Sequence, residues 1–187
     1  MAVTNFDKIV ATISAPAITS TAGAGSIGTG AVTTPETYRR TEDGVIITQI
    51  KFDLTGLACV GTAANDVIGL SAAGAAYIGR YVTADCGIVF KARMSCVESP
   101  GQGTATITQD IDIATNSSAA LAYDSTASTG KLITGATMLA GQSVENLVPA
   151  MTANDYLYIV EADTAGTTGV YNAGQYILTM YGHAVFT

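Results

Sequence analysis

The chain has no tryptophan, one histidine and few charged residues. Only 12% of its 187 residues are charged, about half the share found in ordinary soluble proteins. A long amphipathic helix or a coiled coil needs many Glu, Lys, Leu and Arg residues at a spacing of about 3.5 residues, and this composition does not supply them. Disorder driven by high charge is excluded as well, because 48% of the residues are hydrophobic.

Cations are the scarcest charged residues. Eight Lys and Arg stand against fifteen Asp and Glu, which gives a formal net charge of -7. A nucleic-acid partner needs clustered cations and is therefore not expected. No apolar run reaches the roughly 18–20 residues that span a bilayer, so we expect no membrane partner. The start of the chain has an acidic residue and no apolar core segment, so we expect no signal peptide.

Cysteine and histidine are too few for the common metal centres. The three cysteines, Cys59, Cys86 and Cys96, lie far apart and form no CxxC pair. We expect reduced thiols that pack as small apolar side chains, in a protein made in a reducing cytosol. A zinc site is excluded on ligand count unless carboxylates or several chains contribute. The sequence predicts no cofactor and no metal.

Small residues dominate the N-terminal part of the chain. Ser14 to Pro35 is dense in Gly, Ala, Ser and Thr and has no hydrophobic periodicity. Such a stretch cannot bury enough apolar surface to offset the entropy lost on ordering. We therefore predict an extended or partly flexible N-terminal arm over residues 1–43, with a short strand from Phe6 to Ile13, and one folded domain over residues 44–187.

Beyond Gly44 the hydrophobic residues alternate with polar ones, as in half-buried β-strands. In the strand predicted over 88–97, Ile88, Ala92 and Met94 share one face. Further strands are predicted over 44–54, 76–82, 105–113, 131–139, 143–148, 156–162 and 174–186. Short strands separated by Gly-rich turns favour an all-β fold, an antiparallel β-sandwich.

Two local features refine this prediction. The turn cluster ESPGQG, residues 98–103, predicts that the strands on either side of it form a hairpin with a long loop. The Ala-rich stretches 63–76 and 119–122 leave room for one short helix.

Two patterns resemble catalytic or cofactor motifs. Gly23 to Gly28 matches G-x-G-x-x-G, but Ser and Thr precede it instead of a buried strand, and Gly30 and Pro35 oppose the helix that a dinucleotide site requires. We interpret it as part of the arm. His183 lies in a regular strand without a G-x-S-x-G motif, so a sheet or interface role is favoured over catalysis.

Two carboxylate pairs are spaced for one strand face, Asp110 with Asp112 and Glu161 with Asp163. Paired carboxylates can perform glycosidic acid–base chemistry or hold a hard cation. Solvated carboxylates at a sheet edge are the favoured interpretation. A Ca²⁺ ion shared at a subunit interface stays open as the alternative.

Tyrosine and arginine supply the candidate interaction residues. Arg39 and Arg40 form the only basic doublet and follow Tyr38. They are either a solubilising turn or an anchor onto an acidic neighbour, since Tyr and Arg are favoured in interfaces. In the Tyr-rich C-terminal third, Tyr171 and Tyr181 are the further candidates, and no residue is predicted to be catalytic.

Three segments carry a resemblance to a known family: IKFDLTGLA, NDYLYIVEADTAG and YNAGQYILTMYG. Over residues 44–187 the chain resembles virion structural proteins of tailed bacteriophages, most closely the small decoration, or cement, proteins on the outer capsid shell. The resemblance implies a jelly-roll-like fold, homotrimers bound to the major capsid protein lattice, and no catalysis. It also implies synthesis in the host cytoplasm and a final location on the virion surface.

Other functions remain open on the residues alone. A receptor- or glycan-binding head of a fibre or adhesin would present aromatic side chains at one loop end. A tail or baseplate component would have the same sequence character as a decoration protein. An esterase- or glycosidase-like enzyme would depend on His183 or on the carboxylate pairs, and the sequence has no motif of either enzyme class around them.

Overall fold

The chain folds into two antiparallel β-sheets that pack face to face. The computed structural model describes residues 35–61, 63–71, 75–102, 107–127, 130–135, 137–147, 149–162 and 167–184. The strands are β1 Glu36–Glu42, β2 Val45–Asp53, β3 Ala58–Cys59, β4 Tyr77–Arg80, β5 Ile88–Gln102, β6 Ile111–Asn116, β7 Gly130–Ile133, β8 Ser143–Asn146, β9 Tyr156–Glu161 and β10 Gly169–His183, and a short helix, α1, spans Thr83–Cys86.

The strands divide between the sheets in a non-sequential order. The first sheet has the order β1-β2-β10-β5-β8, with β3 paired to the start of β10, and the second has the order β4-β9-β6-β7. Every pairing between these strands is antiparallel. The prediction of an all-β, antiparallel sandwich is therefore confirmed.

A tight hairpin joins β1 to β2. Its turn consists of Asp43 and Gly44, with φ values of 49° and 78°. An Asp-Gly pair suits this turn because both positions need a left-handed backbone, which twists in the same sense as the strands. The predicted boundary at residue 43 lies in this turn. Strand β1 thus forms the described end of the predicted arm, while the predicted strand Phe6–Ile13 lies outside the described residues.

The core lies between the two sheets and follows the predicted alternation. Phe52 of β2 and Leu178 of β10 are buried, and the Phe52 ring stacks on Tyr176 with centroids 5.5 Å apart. Ile78 and Ile159 of the second sheet belong to the same cluster. All three cysteines are free and buried, as the sequence predicts.

A β-bulge reverses the alternation at the start of β5. Lys91 pairs with Tyr181, but the next pair is Val89 with Gly182, so β5 holds one extra residue here. As a result Val89 is buried while Ile88 is 59% exposed. The prediction that Ile88 shares the face of Ala92 is wrong for this reason.

The predicted hairpin between β5 and β6 is also wrong. Strand β6 pairs with β7 and β9 in the second sheet, whereas β5 pairs with β10 and β8 in the first. The chain crosses from one sheet to the other between them. The helix differs as well: among the described residues it is Thr83–Cys86, outside both Ala-rich stretches.

The chain itself covers the second face of the second sheet. There a separate cluster of buried side chains includes Val67, Tyr77, Ala127 and Tyr158. Val67 and Ala127 come from loop segments linked to each other and to the sheet by backbone hydrogen bonds. Residues 111–115 of β6 are consequently buried without alternation, because this sheet is enclosed on both sides.

We predict that Gly182→Ala lowers the free energy of unfolding by about 1–3 kcal/mol. A β-carbon at Gly182 would collide with the backbone carbonyl of Cys86 at the end of α1. Gly44→Ala is the control, since it meets no atom within 4 Å and costs only about 1 kcal/mol through its left-handed backbone. Urea unfolding followed by circular dichroism measures both. Equal stability of Gly182→Ala and the parent chain would contradict the close approach.

Candidate functional site

The first sheet turns one face away from the second sheet, and this outer face is the candidate interaction surface. Ile50, Met94 and Leu178 point into the core, so their neighbours along each strand point outward. The outer face includes Glu36, Tyr38, Arg40, Glu42, Ile47, Gln49, Lys51, Lys91, Arg93, Ser95, Ser143, Glu145, Ile177, Thr179 and Tyr181.

One row of side chains crosses four neighbouring strands of the outer face. Arg40, Ile47, Tyr181 and Lys91 are successive partners in the register of β1, β2, β10 and β5. The Lys91 ammonium lies 5.4 Å from the centre of the Tyr181 ring and 2.8 Å from Glu145 Oε1. The row therefore joins cations to aromatic and aliphatic surface, and its lysine is already held in place.

The outer face is closer to neutral than the chain as a whole, because four cations lie on it beside the carboxylates of Glu36, Glu42 and Glu145. Four of the eight Lys and Arg residues of the chain lie on it, namely Arg40, Lys51, Lys91 and Arg93. Tyr38 is 44% exposed beside them. Its hydroxyl donates to Glu36 Oε2 at 2.5 Å, which raises the pKa of Tyr38. Tyr38, Arg40 and Tyr181, three of the predicted interaction residues, thus share one surface.

Arg39 is separated from that surface although it precedes Arg40. It points to the opposite face of β1, where its guanidinium lies 3.6 Å from Asp85 Oδ1 and donates to Thr48 Oγ1 at 3.4 Å. Its side chain is only 17% exposed. Arg39 therefore ties the edge strand to helix α1 and is not part of the outer face.

Tyr171 belongs to the core. It is 1% exposed, and its hydroxyl donates to the backbone oxygen of Thr108 at 2.8 Å. Burial raises the pKa of Tyr171 far above its ordinary value. The prediction that Tyr171 contacts a partner is corrected accordingly, since the ring is enclosed by its own chain.

One member of each predicted carboxylate pair is buried in the protein, so the expectation of solvated carboxylates at a sheet edge is wrong for Asp112 and Glu161. Asp112 is fully buried and accepts from the Lys131 ammonium and from the backbone amide of Gly135. Glu161 is fully buried too, and its two oxygens accept from the amides of Val60 at 2.5 Å and Gly61 at 2.7 Å. Asp112 therefore binds a lysine and a backbone amide, and Glu161 binds two backbone amides. Within the described ranges no group of three His, Cys, Asp or Glu is placed to hold a metal ion.

His183 and the Gly23–Gly28 motif are the remaining candidates from the sequence. His183 is exposed at the end of β10 and stacks on Phe90, with ring centroids 4.4 Å apart. This contact places His183 against the β5 bulge, in keeping with a sheet role. Asp163 and the Gly23–Gly28 motif lie outside the described residues.

Comparison with protein-family models, with curated proteins and with solved structures finds no match to this chain. In the part of the chain that the structure describes, no helix has the length and apolar character needed to cross a membrane.

The buried Glu161 predicts a pH dependence of stability. Loss of solvation raises the pKa of Glu161 above 4.5, and the two amide hydrogen bonds offset this only in part. Protonation therefore favours the folded state. This stabilisation is complete below about pH 4.5, the unfolded value, and is lost as the pH rises through the higher folded value, by about 1.4 kcal/mol per unit of difference.

Glu161→Gln isolates this effect, because glutamine does not titrate in this range. We expect the unfolding free energy of the parent chain, minus that of the variant, to be largest near about pH 4 and to shrink toward about pH 7. Glu42→Gln removes the same charge at an exposed position and is the control for the change in net charge. A difference for Glu161→Gln that grows with pH would contradict the raised pKa.

Proposed function

We propose that the chain is a non-enzymatic virion structural protein that forms oligomers, most simply homotrimers, and binds the major capsid protein lattice as a decoration protein. The jelly-roll-like topology of such proteins is part of this proposal. Its first support is the resemblance of residues 44–187 to that family. The observation that carries it is the outer face, which combines Tyr and Arg side chains with cations held in place by neighbouring side chains.

The outer face has the composition of a protein interface. Tyr and Arg are enriched in the contact regions of complexes. Tyr38 and Tyr181 lie here with Arg40 and Arg93. Glu145 lies 2.8 Å from Lys91, and Ser143 accepts from Arg93 at 3.0 Å. Side chains held in this way lose less freedom on binding.

Electrostatics favour an oriented contact through this face. The chain carries a formal charge of -7, so two copies repel each other at long range. The outer face adds little to that repulsion, because its four cations offset the carboxylates that lie among them, and this favours contact through the outer face. In this proposal, contact through the outer face joins copies of the chain to each other or to the capsid lattice.

Pairing through the edge strand is less favoured. Strand β1 ends the order of the first sheet, but its exposed positions carry Glu36, Arg40 and Glu42. Charged side chains along an edge hinder the addition of a further strand. Association through the face is therefore the simpler arrangement.

The experiment compares Arg40→Glu with Arg80→Glu. Both change the charge by two units at exposed positions, one on the outer face and the other on β4 of the second sheet. Light scattering after size exclusion measures the oligomer, and co-sedimentation with capsids of the phage that encodes the chain measures lattice binding. We expect Arg40→Glu to weaken both by about tenfold or more, and Arg80→Glu to leave both unchanged. A parent chain that is monomeric and does not co-sediment would refute the proposal.

A further inference from the structure

A cavity of about 490 Å³ lies at one end of the second sheet, away from the outer face. It opens where β6 ends, where β7 begins and where the segment before β9 turns. Its lining includes Thr115, Ser117, Gly130, Met151, Thr152 and Asp155. Its volume is in the range of small-ligand sites, about 300–1,000 Å³.

The backbone at Asp155 is firmly fixed. Its amide donates to the Thr152 carbonyl at 3.1 Å, and its own carbonyl accepts from the Tyr81 amide at 2.8 Å. Asn154, with φ of 73°, completes this turn. Backbone hydrogen bonds therefore hold the turn, and the Asp155 side chain takes no part in them and lines the cavity.

Asp155 is 6% exposed, yet its carboxylate has no hydrogen bond or ion pair within the described residues. Two cations of the second sheet, Arg80 and Lys131, have other partners. Arg80 donates to the backbone oxygen of Asn154 at 3.2 Å and lies over the Tyr156 ring at 5.2 Å. Lys131 is paired with Asp112. Asp155 differs in this from Glu161 and Asp112, which are fully satisfied.

The Asp155 carboxylate has no partner among the described residues and faces the cavity, so a positive group that enters there gains a charge-assisted hydrogen bond in place of water. The hydroxyls of Ser117 and Thr152 add oxygen acceptors to the same cavity. One carboxylate is too few for a divalent cation, which takes about six or more oxygen ligands. A guanidinium or ammonium group fits better, because it brings positive charge together with three to five N–H donors.

We propose that this cavity binds a guanidinium or alkylammonium group, with Asp155 as its counter-ion and the Ser117 and Thr152 hydroxyls as further acceptors. Met151 and Ala150 supply apolar surface for the methylene stem of such a group. The group is either a free small cation or an Arg or Lys side chain of another protein. The inference does not rest on the proposed function, since no residue of the outer face takes part.

The test titrates the full chain with agmatine, with capped arginine amide, and with the neutral urea analogue of agmatine. Amide chemical shifts of Thr152 and Asp155 report the binding site. We expect saturable shifts with a cationic compound and none with the neutral analogue. Tighter binding of agmatine identifies a free cation as the ligand, whereas tighter binding of capped arginine identifies a protein side chain.

Three variants make the test specific. Asp155→Asn keeps the shape and removes the charge, so affinity should fall about tenfold or more. Asp43→Asn removes the same charge from an exposed turn that suits asparagine and should bind like the parent chain. Ala150→Trp, at an exposed position of the rim, should block the cavity with Asp155 intact, which keeps the test valid if Asp155→Asn does not fold.

Three results would overturn the proposal. The first is no saturable binding of either cation by the folded parent chain. The second is equal binding of the neutral analogue. The third is unchanged affinity in both Asp155→Asn and Ala150→Trp.

Discussion

The first sheet depends on strand β10, which lies between β2 and β5 and pairs with both. Because residues alternate between the two faces of a strand, the register of β10 decides which side chains enter the core and which reach the outer face. A shift of β10 by one residue would turn Leu178 to the outer face and turn Tyr181 into the core, away from Lys91. The apolar core and the proposed interaction surface are two consequences of one pairing.

Three buried carboxylates in or beside the second sheet show how the same residue type takes different roles. Glu161 accepts two backbone amides and fixes the loop at Val60, while Asp112 holds Lys131. Asp155 is slightly less buried, at 6% exposure, and has no such partner within the described residues. This contrast in partners, rather than burial alone, is what distinguishes the cavity at Asp155.

Alternation in the sequence predicted most strands of the fold because each is half buried, as β2 and β10 are. The prediction failed at a β-bulge and at a crossing between the two sheets. The β5 bulge places Ile88 and Val89 on the faces opposite to those expected, and a single extra residue leaves no mark in composition. The crossing from β5 to β6 was missed because a Gly-rich turn looks the same whether the next strand joins the same sheet or the other one.

The sequence by itself determined the class of fold and the free buried thiols, and it selected Tyr38, Arg39 and Arg40 as interaction candidates, since these follow from local pattern and residue type. Only the tertiary structure decided that Arg40 and Tyr181 share a face, that Arg39 and Tyr171 do not, and that Asp155 lines a cavity. Those outcomes depend on strand order and register between residues far apart in the chain, and local periodicity carries no information about which strands become neighbours.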